Sequence, residues 1–303
     1  MNGDTVLITG VDGFLGGRIT RRILDSTDLK VLGLTMSMEW AQNMCTREGI
    51  DPTDRLAFML NDDFLDGDRV DWPLFGVVHL AFSRRMQPAA DIASSIVFAA
   101  KVFHKLADLG ADRVIYMSSQ GVYGNTDQIR TEQTPPAPAT QYTMAKYAAE
   151  VLFHDILCHA RHHTALRLDP VAQSQNVIRG LCRSAATGSI RLTGGKQVFS
   201  FIDAADAAEA VIAMLLAQGD WATVYNVGWN RKRYTLVELA ELIADAAEAR
   251  GMERPSIFLE ENDTALWAGM DSTRFMEKTG WMPAIELRDT VCAMLGEGEG
   301  EGQ

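Results

Sequence analysis

Thr5-Val6-Leu7-Ile8-Thr9-Gly10-Val11-Asp12-Gly13-Phe14-Leu15-Gly16 is the stretch that decides the fold. Residues 5–9 are β-branched or aliphatic, as in a buried strand, and an amphipathic pattern over 14–26 follows as a helix. Gly10, Gly13 and Gly16 fall in the turn between the two and in the first helical turn. In such a unit the first glycine permits the bend, the second lets backbone approach a pyrophosphate, and the third brings helix and strand together. The helix N-terminus adds N–H groups and the positive end of its dipole. The segment therefore reads as a dinucleotide-binding turn that includes Phe14 and Leu15; a glycine-rich turn without a ligand is the rival reading. Asp12 is expected to face solvent or cap the helix, because a carboxylate aimed at a pyrophosphate is repelled.

Outward from this turn, short aliphatic runs alternate with longer amphipathic segments. Strands are predicted over 30–35, 56–60, 77–80, 113–118 and 164–168, and long helices over 91–109 and 141–160. That alternation implies six or seven parallel strands covered by helices on both faces, a Rossmann-type doubly wound α/β sheet. Residues 134–138 hold three prolines and form an exposed loop at the carboxyl ends of the strands. After Leu168 the elements shorten. Helices are predicted over 176–187, from after 202 to 218, and over 236–249, 272–279 and 285–295, with strands over 189–192, 198–202, 223–227 and 256–259. The expected division is a dinucleotide-binding domain over 1–168 and a smaller C-terminal α/β substrate lobe over 169–295, with parts of 203–228 packed back on the first domain. Residues 296–303 alternate Gly and Glu and are expected to be disordered.

A hydrophobic fraction of 47% with 22% charged residues belongs to an ordinary globular chain. The net charge of -12 repels phosphate backbones and anionic membranes, so neither nucleic acid nor a membrane is an expected partner. No signal peptide fits the polar start, and no apolar stretch approaches the roughly 20 residues of a membrane helix. Cys45, Cys158, Cys182 and Cys292 are scattered without metal-ligand spacing, and read as reduced thiols of a cytoplasmic protein that holds no metal.

Tyr142 and Lys146 are one helical turn apart and share a face, so a phenol and an ammonium can meet around one bound molecule. The strand before them ends in Ser118-Ser119, delivering hydroxyls at its carboxyl end.

With these motifs the chain resembles the extended short-chain dehydrogenase/reductase family, its NAD-dependent epimerase/dehydratase group, over nearly its whole length. The resemblance is carried by the glycines, Asp63-Phe64, His79-Leu80-Ala81, Ser118-Ser119 with Val122-Tyr123-Gly124, and Tyr142-x-x-x-Lys146. Downstream it continues through Phe201-Ile202 with Asp206, Tyr225-Asn226-Val227-Gly228 and Gly280-Trp281-Met282-Pro283. It implies Tyr142 as acid/base, Lys146 as ligand of the nicotinamide ribose that lowers the tyrosine pKa, and Ser119 as partner of the substrate oxygen. It also implies cofactor contacts at Gly10, Gly13, Phe14, Leu15, Gly16, Thr35, Asp63, Phe64, Leu80 and Ala81, shared with Tyr142 and Lys146, and a homodimer built from the helices over 91–109 and 141–160.

The chain departs from the family in several places. Thr35-Met36-Ser37 stands where an acid ordinarily binds the adenosine ribose, and no Arg beside it suits a 2'-phosphate, so NAD and NADP stay open. Ser95 replaces an Asn. Asp169-Pro170 stands where an Asn follows the sixth strand, Phe199 replaces an Arg, and Glu260-Glu261-Asn262-Asp263 is acidic where another Arg is expected. These losses leave few partners for a diphosphate. The preferred reading is thus an NAD(P)-dependent oxidoreductase acting on a small carbonyl or alcohol. A sugar-nucleotide epimerase or dehydratase is the alternative, and a non-catalytic dinucleotide-binding protein the third. Arg84 and Arg85 face cofactor or substrate, or are solvated loop charges; Arg231-Lys232-Arg233 reads as a solvated patch, and His79 as a structural residue beneath the cofactor.

Overall fold

The structure is a computed structural model that describes residues 3–67, 72–83, 88–260, 262 and 266–297. β1 (Thr5–Thr9) is buried along its whole length. The two-residue period of the strand sorts its side chains: Val6 and Ile8 join Ile19 and Ile23 of α1 (Phe14–Ser26), whereas Leu7 points into a separate cluster on the other face. β2 (Lys30–Thr35), α2 (Met38–Glu48), β3 (Leu56–Leu60), α3 (Asn61–Asp66) and β4 (Leu74–His79) follow. Then come α4 (Ala89–Asp108), β5 (Arg113–Ser119), α5 (Gln141–Ile156) and β6 (His162–Leu168). Beyond α6 (Asn176–Ala186), β7 (Ser189–Thr193), β8 (Val198–Phe199) and α7 (Ala204–Leu216), β9 (Val224–Val227) returns to the main sheet.

The seven strands run parallel in the order β3-β2-β1-β4-β5-β6-β9. One face is covered by α1 and α7, whose Val211 and Met214 pack with Ile115 and Met117 of β5. The other is covered by α4 and α5, where Val102, Phe103, Ala149 and Phe153 meet Val114 and Tyr116 of β5. Truncating a buried phenylalanine such as Phe103 ordinarily costs about 3–5 kcal/mol, so these faces hold the layers together. The chain winds one way from β1 to β3 and the other from β4 to β9, leaving a crevice outside the carboxyl ends of β1 and β4.

The remaining elements are β10 (Tyr234–Thr235), α8 (Leu236–Ala249), β11 (Ser256–Glu260), α9 (Thr273–Thr279) and α10 (Leu287–Glu297). A third cluster joins Ile178 and Leu181 of α6, Leu239 and Ile243 of α8, and Val291 and Leu295 of α10 over Ile190 and Leu192 of β7. β7 pairs parallel with β11, and β8 antiparallel with β10. The Asp203 carboxylate caps α7 and accepts from the Thr290 hydroxyl of α10 at 2.6 Å, joining the helix on the main sheet to this cluster.

Several elements depart from their predicted limits. α2 and α3 carry too few apolar positions to declare themselves, and α5 ends at Ile156 rather than at 160. β8 spans two residues where five were expected, because Ile202 instead makes an isolated bridge with Val171. α10 runs into the expected disordered tail as far as Glu297, and residues 298–303 lie outside the described residues.

Candidate active site

The turn after β1 is shaped by contact with its neighbours. Gly10 has φ 67, and a Cβ on it would sit 2.9 Å from the Cα of Ala81, so the β1 and β4 turns touch only because Gly10 lacks one. A Cβ on Gly16 would collide with the Gly10 and Val11 carbonyl oxygens. Gly13 differs: it is the N-cap of α1, without a side-chain cap, and a Cβ there would meet the Gly10 oxygen alone, at 3.0 Å. Open space in front of Gly13 and an uncapped helix start suit the pyrophosphate of a dinucleotide. Phe14 and Leu15 enter the helix behind it, half-buried.

Thr9 ties this turn to the next. Its Oγ1 accepts from the N–H groups of Leu80 and Ala81, each at 3.1 Å, and lies 3.0 Å from Nδ1 of His79. With two donors arriving, the hydroxyl proton goes to the imidazole. That requires neutral His79, in accord with a pKa pushed down to about 3 by burial and by Lys146. Leu80 and Ala81 thereby line the crevice, and His79 is structural.

Two expectations about the adenosine end change. Asp12 does not cap α1; it stays part-exposed, and its Oδ2 accepts from Thr35 Oγ1 at 2.6 Å, at the end of β2. Phe64 is 2% exposed and packs with Leu32, Leu34 and Val77, so its ring belongs to the core and only its backbone can border a ligand. Asp63 stands exposed beside it.

α5 begins in a capping box of Thr140 and Thr143, which fixes Tyr142 in its first turn and leaves it half-buried. The Tyr142 ring stands edge-on to Phe82 with centroids 6.0 Å apart. One turn on, Lys146 is buried; its Nζ donates to the Met117 carbonyl at 2.8 Å and lies over the rings of Phe82 and Tyr116 at 4.3 and 5.1 Å. Burial pulls its pKa down to about 7, against the opposing pull of Glu150. The Ser119 hydroxyl, at the end of β5, accepts from the Gly121 N–H at 3.1 Å. Phe82 thus touches both Tyr142 and Lys146, and the β5 end brings Ser119 to the same crevice.

A network unread in the sequence lies beneath. Glu150, the next turn of α5, accepts from Ser118 Oγ and pairs with Arg167 of β6, all three buried. The Arg167 guanidinium lies 4.6 Å over the Tyr123 ring, whose hydroxyl donates to Asn226 Oδ1 at 2.7 Å. The signal was present: Glu150 follows Lys146 by four residues and therefore shares its buried face. The downstream landmarks have structural work of the same kind, since Asp206 accepts from the Ala284 and Ile285 N–H groups at 3.0 and 2.9 Å.

Ser95 takes the Ser83 N–H at 2.9 Å and bonds its hydroxyl, bracing the chain after β4. Arg84, Arg85, Glu261 and Asp263 lie outside the described residues. Residues 231–233 are exposed, as a solvated patch would be, yet Arg231, Lys232 and Arg233 also line a cavity of about 450 Å³ with Trp229 and Trp267. Asp127 and Ile129, from the segment between β5 and α5, complete its wall, and Ser119, Tyr142 and Lys146 do not line it. Among the described residues no cluster could hold a metal, no helix is long and apolar enough to cross a membrane, and the four cysteines form no disulfide.

The chain is 24% identical to a dTDP-glucose 4,6-dehydratase of Neisseria gonorrhoeae, over 92% of this chain and 90% of that protein. It is 27% identical to the low-salt glycan biosynthesis protein Agl12 of Haloferax volcanii, over 96% and 97%. Its fold is that of a UDP-glucuronic acid 4-epimerase from Bacillus cereus solved with NAD, with TM-score 0.80, 17% identity and coverage of 99% and 100%. Residues 6–228 match the NAD dependent epimerase/dehydratase family, and the chain belongs to that family.

Proposed function

We propose that this enzyme oxidises a hydroxyl of a nucleotide-activated sugar, using NAD, with Tyr142 as the base. The observation that supports the reading is that Tyr142 and Lys146 both meet Phe82, with Ser119 at the carboxyl end of β5, in a chain aligned over more than nine-tenths of its length with relatives of sugar metabolism. When bound, the dinucleotide supplies the acceptor for the hydride leaving the sugar carbon. Tyr142 Oη takes the hydroxyl proton, and Ser119 Oγ orients the same substrate oxygen. A phenol with an ordinary pKa near 10 is a poor base, and Lys146 favours its anion in the ammonium form, which the buried amine holds below its pKa of about 7.

A nucleotide-activated sugar, not the small carbonyl or alcohol expected from the sequence, is the substrate class that the relatives support. The usual arginines are absent, but Arg231, Lys232 and Arg233 line a cavity with Trp267, and these three cations outnumber its two carboxylates, Asp127 and Glu238. Between the two outcomes, epimerisation is favoured. Eliminating water needs an acid for the leaving hydroxyl, and the turn after Ser119, Gln120–Tyr123, carries no carboxylate. We also infer a homodimer through α4 and α5, whose outer surfaces expose Val97 and Val151.

A panel of nucleotide sugars tests the reading by thermal shift, followed by NMR of products formed with NAD. One of the panel should raise the melting temperature, as expected of about 2.7 kcal/mol at a hundredfold excess over Kd, and be epimerised. Turnover of simple carbonyls with no response to any nucleotide sugar would overturn it.

A further inference from the structure

We propose that Asp12 reads the 2'-hydroxyl of the adenosine ribose and makes the chain selective for NAD over NADP; this rests on the dinucleotide site proposed above. In dinucleotide-binding sheets that hydroxyl is held by an acid at the end of the second strand. β2 ends in Thr35, followed by Met36 and Ser37, and so brings no carboxylate of its own. The fold returns one to the same place from the glycine turn. Gly10 and Val11 donate their N–H groups to the Leu34 carbonyl at 3.1 and 3.4 Å, seating the turn against the last residues of β2. Asp12 Oδ2 then accepts from Thr35 Oγ1 at 2.6 Å, one hydrogen bond from the residue where the acid ordinarily stands. Thr35 Oγ1 is fixed in turn by the Ser37 N–H at 3.1 Å. Oδ1 of Asp12 accepts no hydrogen bond among the described residues and is left to take a ribose hydroxyl.

The surrounding charges agree. A 2'-phosphate would carry about two negative charges onto Asp12 and would need cations to hold it. The guanidinium groups beside the turn are committed: Arg18 and Arg47 share Oε1 of the buried Glu48, at 3.2 and 2.9 Å. Arg47 also donates to the carbonyl oxygens of Asp12 and Gly13, at 3.3 and 3.2 Å, so it braces the turn by its backbone. Asp12 therefore accepts a hydroxyl and repels a phosphate at one position.

Direct titration of NAD and NADP by calorimetry tests this without any turnover assay. Wild type should bind NAD at least about tenfold more tightly than NADP, and Asp12→Ala should weaken NAD by about tenfold to a hundredfold while NADP is unchanged or improved. The double variant Asp12→Ala/Thr35→Asp moves the carboxylate to the β2 end and should restore the preference for NAD. An Asp12→Ala protein that melts like wild type but loses both dinucleotides by the same factor would overturn the proposal, since Asp12 would then only brace the turn. Equal affinity of wild type for both dinucleotides would overturn it as well. A wild type that binds neither removes the dinucleotide site and this assignment together.

Discussion

Tyr142 and Lys146 are one helical turn apart, yet the first is half-buried and meets the crevice while the second is 5% exposed and pinned to the Met117 carbonyl. Their variants should therefore separate. Tyr142→Phe keeps the ring against Phe82 and removes only the proton carrier, so turnover should fall about 100-fold to 10,000-fold with dinucleotide affinity retained. Steady-state rates beside a binding titration check this, and near-normal turnover would reassign the proton to another group. Lys146→Met should weaken dinucleotide binding yet give a more stable empty protein at neutral pH. Burial holds the folded pKa at about 7 against the ordinary 10.5, so between those values the unfolded chain binds a proton that the folded chain lacks. Wild-type stability accordingly rises with pH across that window and is lowest below it. Relative to Lys146→Met, wild type should gain about 2–4 kcal/mol from the lower to the upper end, measured by urea unfolding; an unchanging difference would refute the burial argument. At this scale the sequence set Tyr142 and Lys146 on one helical face, where the structure has them, but did not show the contact of Asp12 with Thr35, because the partner lies on β2.

Among the elements, α5 depends on what lies under it. Its Glu150 joins Ser118 of β5 to Arg167 of β6, so the helix bearing Tyr142 is fixed to the two strands beside it. Glu150→Ala leaves Arg167 buried without its carboxylate and should cost about 3–5 kcal/mol, read as a lower urea midpoint. Removing both charges in Glu150→Leu/Arg167→Leu should cost much less, and an equal loss would show that the pair is not the cause. The long periodic helices α1 and α8 were legible to the residue, since burial on one face imposes the 3.6-residue pattern. α2 escaped because it buries only Ala41, Met44 and Glu48, and α3 because it buries only Phe64, too few positions to establish a period.

For the molecule as a whole, the outer faces of α4 and α5 set the expectation of self-association. Val97 on α4 and Met144 and Val151 on α5 are 59%, 53% and 51% exposed, on two helices packed side by side. Light scattering at micromolar concentration should return a dimer, and Val97→Glu/Val151→Glu should return a monomer with unchanged circular dichroism. A monomeric wild type would remove the proposed interface. Local order along the chain, meaning the alternation of strands and helices, the glycine turn and the Tyr142–Lys146 pair, was determined by the sequence itself, because each rests on neighbours a few residues apart. Which strands lie side by side, the docking of Asp12 on Thr35, the pairing of Glu150 with Arg167, and the gathering of Arg231, Lys232 and Arg233 around a cavity were decided only in three dimensions. Those contacts depend on strand order and on how turns meet across the sheet, and no periodicity along a single chain records them.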